Sequence, residues 1–357
     1  MSARPVQIAG RTIGDGEPPF LIAEAGVNHN GSPDMALALV AAAAAAGADA
    51  VKFQTFSASS VATEEAPQAG YQRNAAAAAS QAEMLRALEL PADALRACRD
   101  RAAELDLVFL STPFDLGSVA VLAELGVPAY KVGSGDLTNL VLLRAVAGRG
   151  MPLLLSTGMA TLAEVEAAVD DVRSHGDPPL VLLHCTSAYP ASAQDANLRA
   201  MVSLRQRFEV PVGYSDHTPG AAVAVAAAAL GAAVLEKHLT LDRTLSGPDQ
   251  AASLEPDAFA AMVAAVREAH AALGDGVKAP RAAEDDVRRV ARRSLVVTRR
   301  LRSGEQVAAG DLDAMRPEGG ISPLRLDAVV GRRAAHDLVP GTVLLPGDLD
   351  PPLDEGG

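Results

Sequence analysis

The chain has 357 residues, a formal net charge of −13, 49% hydrophobic residues and two cysteines. The negative charge argues against binding to nucleic acid or to an anionic membrane, because both require a positive field. An anionic substrate remains possible in a locally basic pocket. Cys98 and Cys185 provide neither a disulfide framework nor the spacing of a metal knuckle. The N-terminal segment has no apolar signal core and no uncharged apolar run is long enough to span a bilayer, so we expect a cytoplasmic protein.

Short β-like runs alternate with longer helical runs over residues 1–275, which is typical of βα units around a parallel sheet. The predicted strands are Phe20–Ala23, Ala50–Phe53, Leu107–Leu110, Ala129–Val132, Pro152–Leu155, Leu180–Leu183, Val210–Val212 and Ala233–Leu235. The predicted helices include Asp34–Ala46, Pro91–Leu105, Leu116–Leu125, Leu162–Arg173, Ala221–Leu230 and Pro256–Leu273. Eight strand–helix pairs predict a (β/α)8 TIM barrel. A doubly wound sheet fits less well, because no GxGxxG follows the first strand.

The sequence changes character after the last predicted helix. Residues 276–290 are polar and charged and are predicted to be a linker. Residues 291–352 consist of short β-like runs separated by turn residues, which predicts a small β-rich domain. A domain of this size depends readily on a partner surface for its stability.

Polar side chains follow every predicted strand of the barrel, at the end where the active sites of such barrels form. They include Glu24, His29, Lys52, Gln54, Thr112, Lys131, Ser134, Asp136, Ser156, His184, Ser187, Ser215, Asp216, His217, Glu236, Lys237 and His238. Ordinary solvated loops would also be polar, but they would not repeat this choice of residue types directly after apolar runs. We therefore expect one shared catalytic face.

Two lysines on this face favour an anion site. Lys52 and Lys131 would be costly to bury unless they met an anion, although each could instead pair with an acid such as Glu24 or Asp136. Small hydroxyl residues and glycines let backbone N–H groups approach a phosphate or carboxylate closely. The hydroxyl positions on the same rim that support this interpretation are Thr112, Ser134, Ser156 and Ser215.

His217 and His238 follow consecutive predicted strands and are therefore expected to be neighbours. Neutral imidazoles suit Mn, Fe, Co or Zn, with Asp216 or Glu236 available as orienting groups. From the residues alone, a metal site and a structural role for this pair both remain open. His29 and His184 are weaker candidates, because their direction cannot be assigned.

Nine ordered motifs carry a resemblance to a known family: AEAGVNHNG, AVKFQT, STPFD, AYKVGSGDLTN, LSTGM, LLHCTSAYP, GYSDHT, LEKHLTLD and GPDQAASLEP, which run across residues 23–256. The chain resembles the sialic acid (nonulosonate) synthases, which condense phosphoenolpyruvate with N-acetylmannosamine or a related aminosugar. The segment from RSLVV through MRPEGGISP to DLVPGTVL resembles the antifreeze-like (SAF) domain attached to these synthases.

The resemblance implies roles for the matching positions. The implied catalytic residues are Glu24, Lys52, Lys131 and Asp136. The implied substrate-binding residues are Gln54, Thr112, Ser134, Ser156, Ser187, Tyr189, Ser215, Asp249 and Arg316. His217 and His238 match the positions that hold a divalent metal, usually Mn²⁺, with Mg²⁺ or Co²⁺ as alternatives. Asp136 is glutamate in some members, and Ser187 replaces an asparagine found in some bacterial members.

Arg316 matches an arginine that the small domain of one subunit inserts into the barrel of its partner. The resemblance therefore implies a domain-swapped homodimer. This arrangement is consistent with the charged linker and with the small size of the second domain.

The implied reaction joins the methylene carbon of phosphoenolpyruvate to the aldehyde of the open-chain sugar, after which water attacks and phosphate leaves with C–O cleavage. N-acetylmannosamine is the first expected sugar. The stretches Ala66–Asn74 and Ser80–Leu90 resemble members that act on 2,4-diacetamido-2,4,6-trideoxymannose and make legionaminic acid. Two alternatives remain: a related enzyme acting on a sugar phosphate, which would need a second basic cluster, and a non-catalytic carbohydrate-binding protein.

Overall fold

Residues 4–67 and 80–354 are described by the computed structural model, in which the chain divides into two units, Met1–Gly274 and Asp275–Gly357. The strands are β1 Val6–Ile8, β2 Arg11–Ile13, β3 Phe20–Gly26, β4 Ala50–Thr55, β5 Val108–Pro113, β6 Tyr130–Val132, β7 Leu153–Ser156, β8 Leu180–Cys185, β9 Val212–Asp216, β10 Val234–His238, β11 Ser294–Val297, β12 Leu312–Met315, β13 Arg333–Ala334 and β14 Leu349–Asp350.

The α-helices of the described residues are Pro33–Ala45, Ala58–Val61, Gln81–Leu88, Ala92–Glu104, Leu116–Leu125, Leu140–Ala147, Leu162–Ser174, Ala200–Phe208, Ala222–Ala229, Pro256–Leu273, Asp285–Ala291 and Leu326–Val329. Side-chain caps start several of them where the sequence places Ser, Thr or Asp, as at Ser32, Asp115 and Thr161. None of the helices in residues 4–67 and 80–354 is long and apolar enough to cross a membrane.

Strands β3–β10 form one sheet in which strands that are consecutive in the chain are neighbours. The last strand, β10, pairs in parallel with the first, β3, and the two ends of the hydrogen-bonded order, β5 and β6, lie next to each other. The sheet therefore closes on itself. The predicted TIM barrel is confirmed, and the doubly wound alternative is excluded by this closure.

Along the inward faces of the barrel strands, apolar residues are followed by polar ones. Ile22, Ala50, Leu110, Ala129, Leu154, Leu183 and Val234 belong to one apolar cluster inside the barrel, and Gly213 occupies the equivalent position of β9. Successive inward positions are two residues apart in a strand. Two residues further along, the same strands carry Glu24, Lys52, Thr112, Lys131, Ser156, Cys185, Ser215 and Glu236. The interior thus passes from apolar to polar toward the carboxyl ends of the strands.

Most barrel strands extend further than the sequence predicted. The prediction ended most strands directly before a polar residue, as at Ala233–Leu235, whereas β10 continues to His238. Polar residues at these positions remain in the strands because they face one another inside the closed sheet, where they find partners. The predicted active-site residues therefore lie largely within strand ends, which hold them more rigidly than loops would.

An N-terminal hairpin that the sequence analysis did not predict covers the other end of the barrel. Strands β1 and β2 pair antiparallel, and Val6, Ile8 and Ile13 join the apolar cluster inside the barrel. Arg11 of the hairpin forms a 2.8 Å ion pair with the buried Asp49, which also accepts a hydrogen bond from Leu21 N. The hairpin therefore seals the end of the barrel opposite the polar residues.

The strands described in the second unit are short. β11 pairs antiparallel with β12, and β13 pairs with β14. Its apolar cluster includes Leu295, Val297, Leu301, Leu344 and Leu349. The segment that was predicted as a linker, residues 276–290, contributes most of an exposed helix, Asp285–Ala291. The β-rich character predicted for the C-terminal segment is confirmed.

Replacing Gly213 by alanine is expected to destabilise the barrel. An added Cβ would lie 2.4 Å from the carbonyl oxygen of Val234 and 2.7 Å from Cδ2 of Leu183. Overpacking of this kind costs about 1–3 kcal/mol. Urea denaturation followed by circular dichroism should show a lower midpoint with an unchanged slope.

Gly310→Ala is the control, because nothing lies within 4 Å of a Cβ built there. Its stability should stay within about 0.5 kcal/mol of the wild type. Equal stability of the Gly213→Ala variant and the wild type would contradict the packing described for β9.

Candidate active site

A cavity of about 500 Å³ opens at the carboxyl ends of the barrel strands. It is lined by every predicted site residue except Asp136 and Arg316. The lining residues that the sequence predicted are Glu24, Lys52, Gln54, Thr112, Lys131, Ser134, Ser156, Ser187, Tyr189, Ser215, His217, His238 and Asp249. The barrel therefore brings together groups that are spread over more than two hundred residues of sequence.

Lys52 lies at the centre of the buried charges. Its Nζ is 2.7 Å from Oε2 of Glu24 and donates a 2.9 Å hydrogen bond to Oγ1 of Thr112. Oε2 of Glu236 is 3.8 Å from the same nitrogen. Burial lowers the pKa of Lys52, but Glu236 and Glu24 outweigh this effect and raise it. Lys52 is therefore a fixed positive charge at the base of the cavity.

Glu236 links the two lysines of the cavity, and the sequence analysis considered it only as an orienting group. Its Oε1 lies 3.6 Å from Nζ of Lys131 and accepts a 3.0 Å hydrogen bond from Oγ of Ser215. The acid beside Lys131 is thus Glu236, whereas Asp136 had been suggested. The position of Glu236 could have been predicted from the two-residue period of a strand, because a residue two positions before His238 faces the same side of β10.

The two buried glutamates have opposite ionisation behaviour. Burial raises the pKa of Glu24 to about 7, despite the opposing charge of Lys52. Burial also disfavours the charged form of Glu236, but Lys131 and Lys52 outweigh it and lower the pKa of Glu236 to about 2. Glu236 is therefore the anion between the lysines, while Glu24 can hold a proton near neutral pH.

Small residues let the chain approach closely beside Lys131. Gly158 N donates a 2.9 Å hydrogen bond to Oγ of Ser134, which lies 3.0 Å from Sγ of Cys185. A Cβ on Gly158 would come within 2.5 Å of Oγ of Ser187. Oγ of Ser156, also buried, has no hydrogen-bond partner among residues 4–67 and 80–354. The hydroxyls of Ser134, Ser156 and Ser187 therefore line this side of the cavity.

His217 and His238 face the cavity from adjacent strand ends, with ring centroids 5.5 Å apart. Nδ1 of His217 lies 2.8 Å from the carbonyl oxygen of Thr186. Because a carbonyl only accepts, Nδ1 carries the proton and Nε2 presents a lone pair. Burial lowers the pKa of His217, and burial together with His217 holds the pKa of His238 well below its usual range. Both rings are therefore neutral.

The donor set of this pair suits a divalent transition metal. Nδ1 of His238 is buried, has no hydrogen-bond partner in the described part of the chain and lies 3.9 Å from Oδ2 of Asp249. Two neutral imidazoles with a nearby carboxylate match the ligand preference of such ions. Within residues 4–67 and 80–354, no group of three or more His, Cys, Asp or Glu side chains is arranged to hold a metal by itself.

Three further predicted residues lie beside the histidines and Glu24. The ring of Tyr189 is 4.2 Å from that of His217 between centroids and meets His238 edge-on at 5.9 Å. Gln54 Nε2 donates a 3.3 Å hydrogen bond to Oε1 of Glu24. Burial raises the pKa of Asp249 to about 6. All three residues line the cavity.

One wall of the cavity is apolar, which the sequence analysis did not predict. It consists of Val27, Phe56, Met84, Leu88 and Phe114, and Met84 and Leu88 come from the helix Gln81–Leu88. Val27, Met84 and Leu88 are buried together with Phe56 packed against them, and the rings of Phe56 and Phe114 meet edge-on. We call these five residues the apolar wall.

Two predicted site residues lie elsewhere. Asp136 accepts a 2.9 Å hydrogen bond from Nδ2 of Asn139 and does not line the cavity. Arg316 belongs to the second unit, where it is exposed and donates a 3.1 Å hydrogen bond to the carbonyl of Ala291. Of the weaker histidine candidates, His29 is fully buried against Phe53.

The ring of the other weak candidate, His184, lies 5.7 Å from that of Tyr214 between centroids at a tilt of 41°, and its Nε2 is 2.9 Å from the carbonyl oxygen of Ala196. Neither His29 nor His184 lines the cavity. In the stretch Ala66–Asn74, residues 68–74 lie outside the described residues, so only its first two positions and the segment Ser80–Leu90 are seen.

Comparison with known proteins identifies the family. The NeuB family profile matches residues 39–278, and the SAF domain profile matches residues 292–350. N,N'-diacetyllegionaminic acid synthase of Legionella pneumophila is 45% identical over 331 residues, covering 91% of this chain and 93% of the relative. The Campylobacter jejuni protein of that name is 43% identical over 321 residues, covering 89% of this chain and 96% of the relative.

A solved structure agrees with this assignment. The N-acetylneuraminic acid (sialic acid) synthetase from Leptospira borgpetersenii superposes with a TM-score of 0.71 at 34% identity, covering 80% of this chain and 95% of that chain. The resemblance predicted from the nine motifs is therefore confirmed: the chain belongs to the NeuB family of nonulosonate synthases and carries a SAF domain at its C-terminal end.

Proposed function

We propose that the protein condenses phosphoenolpyruvate with an N-acetylated aminosugar, forms a nonulosonic acid and releases phosphate, with a divalent metal such as Mn²⁺ as cofactor. One observation carries this proposal. A pair of buried lysines and a pair of neutral imidazoles face the same cavity. The first pair suits a small, highly charged anion, and the second suits a metal that polarises an aldehyde.

The two lysines carry more positive charge than the neighbouring glutamates offset, and phosphoenolpyruvate is an anion that would compensate the remainder. Glu236 offsets one of the two positive charges, and Glu24, whose pKa burial raises to about 7, offsets the second only in part near neutral pH. The base of the cavity therefore keeps a net attraction for a phosphate or carboxylate. The hydroxyls of Ser134 and Ser156 extend this attraction, because both line the cavity and can donate hydrogen bonds.

His217 and His238 are the residues that would hold the metal, with Asp249 beside them. When bound, a divalent metal acts there as a Lewis acid that polarises the sugar aldehyde and orients it. The tether from His217 to the Thr186 carbonyl fixes which ring nitrogen is free to bind.

The proposed reaction forms one C–C bond and breaks one C–O bond. The methylene carbon of phosphoenolpyruvate bonds to the aldehyde carbon, and the aldehyde oxygen takes a proton. Water adds to the former enol carbon and loses one proton. The resulting hydroxyl then loses its remaining proton as the C=O bond of the 2-keto acid forms, and phosphate leaves with the bridging oxygen and takes up that proton. Glu24, whose pKa burial raises to about 7 and which lies 2.7 Å from Lys52, can carry a proton near neutral pH and is placed to supply it to the new alkoxide. A catalytic role of Asp136 stays a prediction.

The apolar wall favours one sugar within this class. A 2,4-diacetamido-2,4,6-trideoxy sugar carries a methyl group at C6 and two acetamido methyl groups, which apolar side chains accommodate. N-acetylmannosamine carries a hydroxymethyl group instead. Its hydroxyl would lose hydrogen bonds to water at the apolar wall without gaining a hydrogen-bond partner there. The two relatives named as N,N'-diacetyllegionaminic acid synthases support the deoxy sugar.

A phosphorylated sugar fits this cavity poorly. Among the described lining residues the lysines are Lys52 and Lys131, both at the phosphoenolpyruvate end, and no arginine joins them. The second basic cluster required by a sugar phosphate is therefore absent from the described lining. The homodimer in which Arg316 enters the partner's barrel stays part of the proposal.

Phosphate release should require phosphoenolpyruvate, the diacetamido sugar and Mn²⁺ together. His217→Ala and His238→Ala should each lower the rate by at least about 100-fold, because even groups that only orient ligands contribute roughly 10- to 100-fold. A continuous phosphate-release assay measures this. The control is His175→Ala, which changes an exposed histidine outside the cavity. Full activity of His217→Ala without metal would contradict the metal assignment, and no turnover with any aminosugar would favour a carbohydrate-binding protein.

Lys131→Met should lower kcat/KM for phosphoenolpyruvate by roughly 100-fold or more, the effect of removing one partner of a buried charge pair. Steady-state kinetics at saturating sugar would show the change mainly for this substrate. Lys278→Met is a matched control, because Lys278 is exposed and lies outside the cavity. An unchanged kcat/KM in the Lys131 variant would remove the anion role of this residue.

Met84→Gln should reduce the preference for the diacetamido deoxy sugar over N-acetylmannosamine by about 10-fold, since apolar pockets discriminate by this order. The measurement is the ratio of the two kcat/KM values. The same substitution at Met151, which does not line the cavity, should leave the ratio unchanged. If both variants kept the wild-type ratio, the apolar wall would not select the sugar.

A further inference from the structure

Lys237 is a buried cation that the proposed reaction does not use. The chain contains four lysines, Lys52, Lys131, Lys237 and Lys278, and all its other basic residues apart from histidines are arginines. Lys52, Lys131 and Lys237 are all buried in the barrel. Lys52 and Lys131 line the cavity, whereas Lys237 does not, because it alternates with Glu236 and His238 along β10 and faces the other side of the strand.

The partner of Lys237 is Asp216, at the paired position of the neighbouring strand. Nζ of Lys237 lies 2.8 Å from Oδ2 of Asp216, and both side chains are 1% exposed. Lys237 also donates a hydrogen bond to the carbonyl oxygen of Thr218. Oδ1 of Asp216 accepts hydrogen bonds from Thr218 N at 2.9 Å and from Thr218 Oγ1 at 2.8 Å.

These contacts lie on both sides of His217 in the chain. Asp216 and Thr218 flank His217, and Lys237 directly precedes His238. The ion pair thus fixes the backbone on both sides of His217 and ties it to the strand that carries His238. The ring of His217 has an independent tether at the Thr186 carbonyl. Both the backbone and the ring of His217 are consequently held in place.

A buried ion pair is weak evidence for stability, because apolar side chains of similar volume often serve equally well. The hydrogen bonds and the ion pair of Asp216 and Lys237, by contrast, are directional and therefore specify one arrangement of the backbone around His217. We propose that the Asp216–Lys237 pair is a positioning element that sets the distance and orientation between His217 and His238, so that the two imidazoles bind one divalent ion. This inference rests on the metal site of the proposed function.

The test is direct Mn²⁺ binding to the full-length protein, freed of metal with a chelator and titrated by electron paramagnetic resonance. Asp216→Asn keeps the size of the side chain, and Lys237→Met removes the cation. Each should weaken the Mn²⁺ affinity by roughly 10- to 100-fold, as expected for groups that orient metal ligands. The affinity for phosphoenolpyruvate, measured by calorimetry, should change by less than about 3-fold, within the scatter of variants that leave a site intact.

Asp49→Asn is the matched control, because Asp49 is also buried and ion-paired but lies with Arg11 at the hairpin end of the barrel. It should leave the Mn²⁺ affinity unchanged. If Lys237→Met fails to fold, Asp216→Asn alone decides. The inference is overturned if folded variants keep the wild-type Mn²⁺ affinity, or if Asp49→Asn weakens it equally. A wild-type protein that binds no Mn²⁺ would overturn the proposed metal site itself, and this inference with it.

Discussion

The burial of opposite charges inside the barrel is the constraint on which the site depends. Lys52 and Lys131 are held beneath the cavity by Glu24 and Glu236, with nitrogen–oxygen separations between 2.7 and 3.8 Å. Charges removed from water at this depth are costly unless each has a partner. The apolar interior below them, closed by the N-terminal hairpin, supplies the low dielectric in which their attraction is strong. The same setting keeps His217 and His238 neutral.

The positions of the lysines reflect the same requirement, that each buried charge has a partner. Three of the four lysines are buried in the first unit, two of them facing the barrel interior, and the other non-histidine basic residues of the chain are arginines. A lysine ammonium is a compact point charge on a flexible stem, which suits positions that face a small anion or a single carboxylate. Lys237 extends this use to the outer side of the barrel wall, where it holds the chain around His217 in place. One residue type thus supplies both the proposed anion site and the proposed support of the histidine pair.

Much of the site was predictable, because active-site residues in a barrel follow apolar strands in a regular pattern. His217 and His238 were placed as neighbours from the order of the predicted strands alone, and they are. Glu236 was undervalued, although its spacing from His238 put it on the same face of β10. The apolar wall could not be predicted, because Val27, Phe56, Met84 and Phe114 come from separate segments with no shared periodicity.

The sequence by itself determined the barrel, the polar ends of its strands, the β-rich C-terminal unit and the family, because strand and helix periods and ordered motifs are local properties of the chain. The tertiary structure decided which acid meets which lysine, since register and closure of the sheet set those distances. It paired Lys131 with Glu236, paired Lys237 with Asp216, and moved Asp136 out of the cavity lining. Contacts between strands depend on closure of the whole barrel, which no local pattern in the chain specifies.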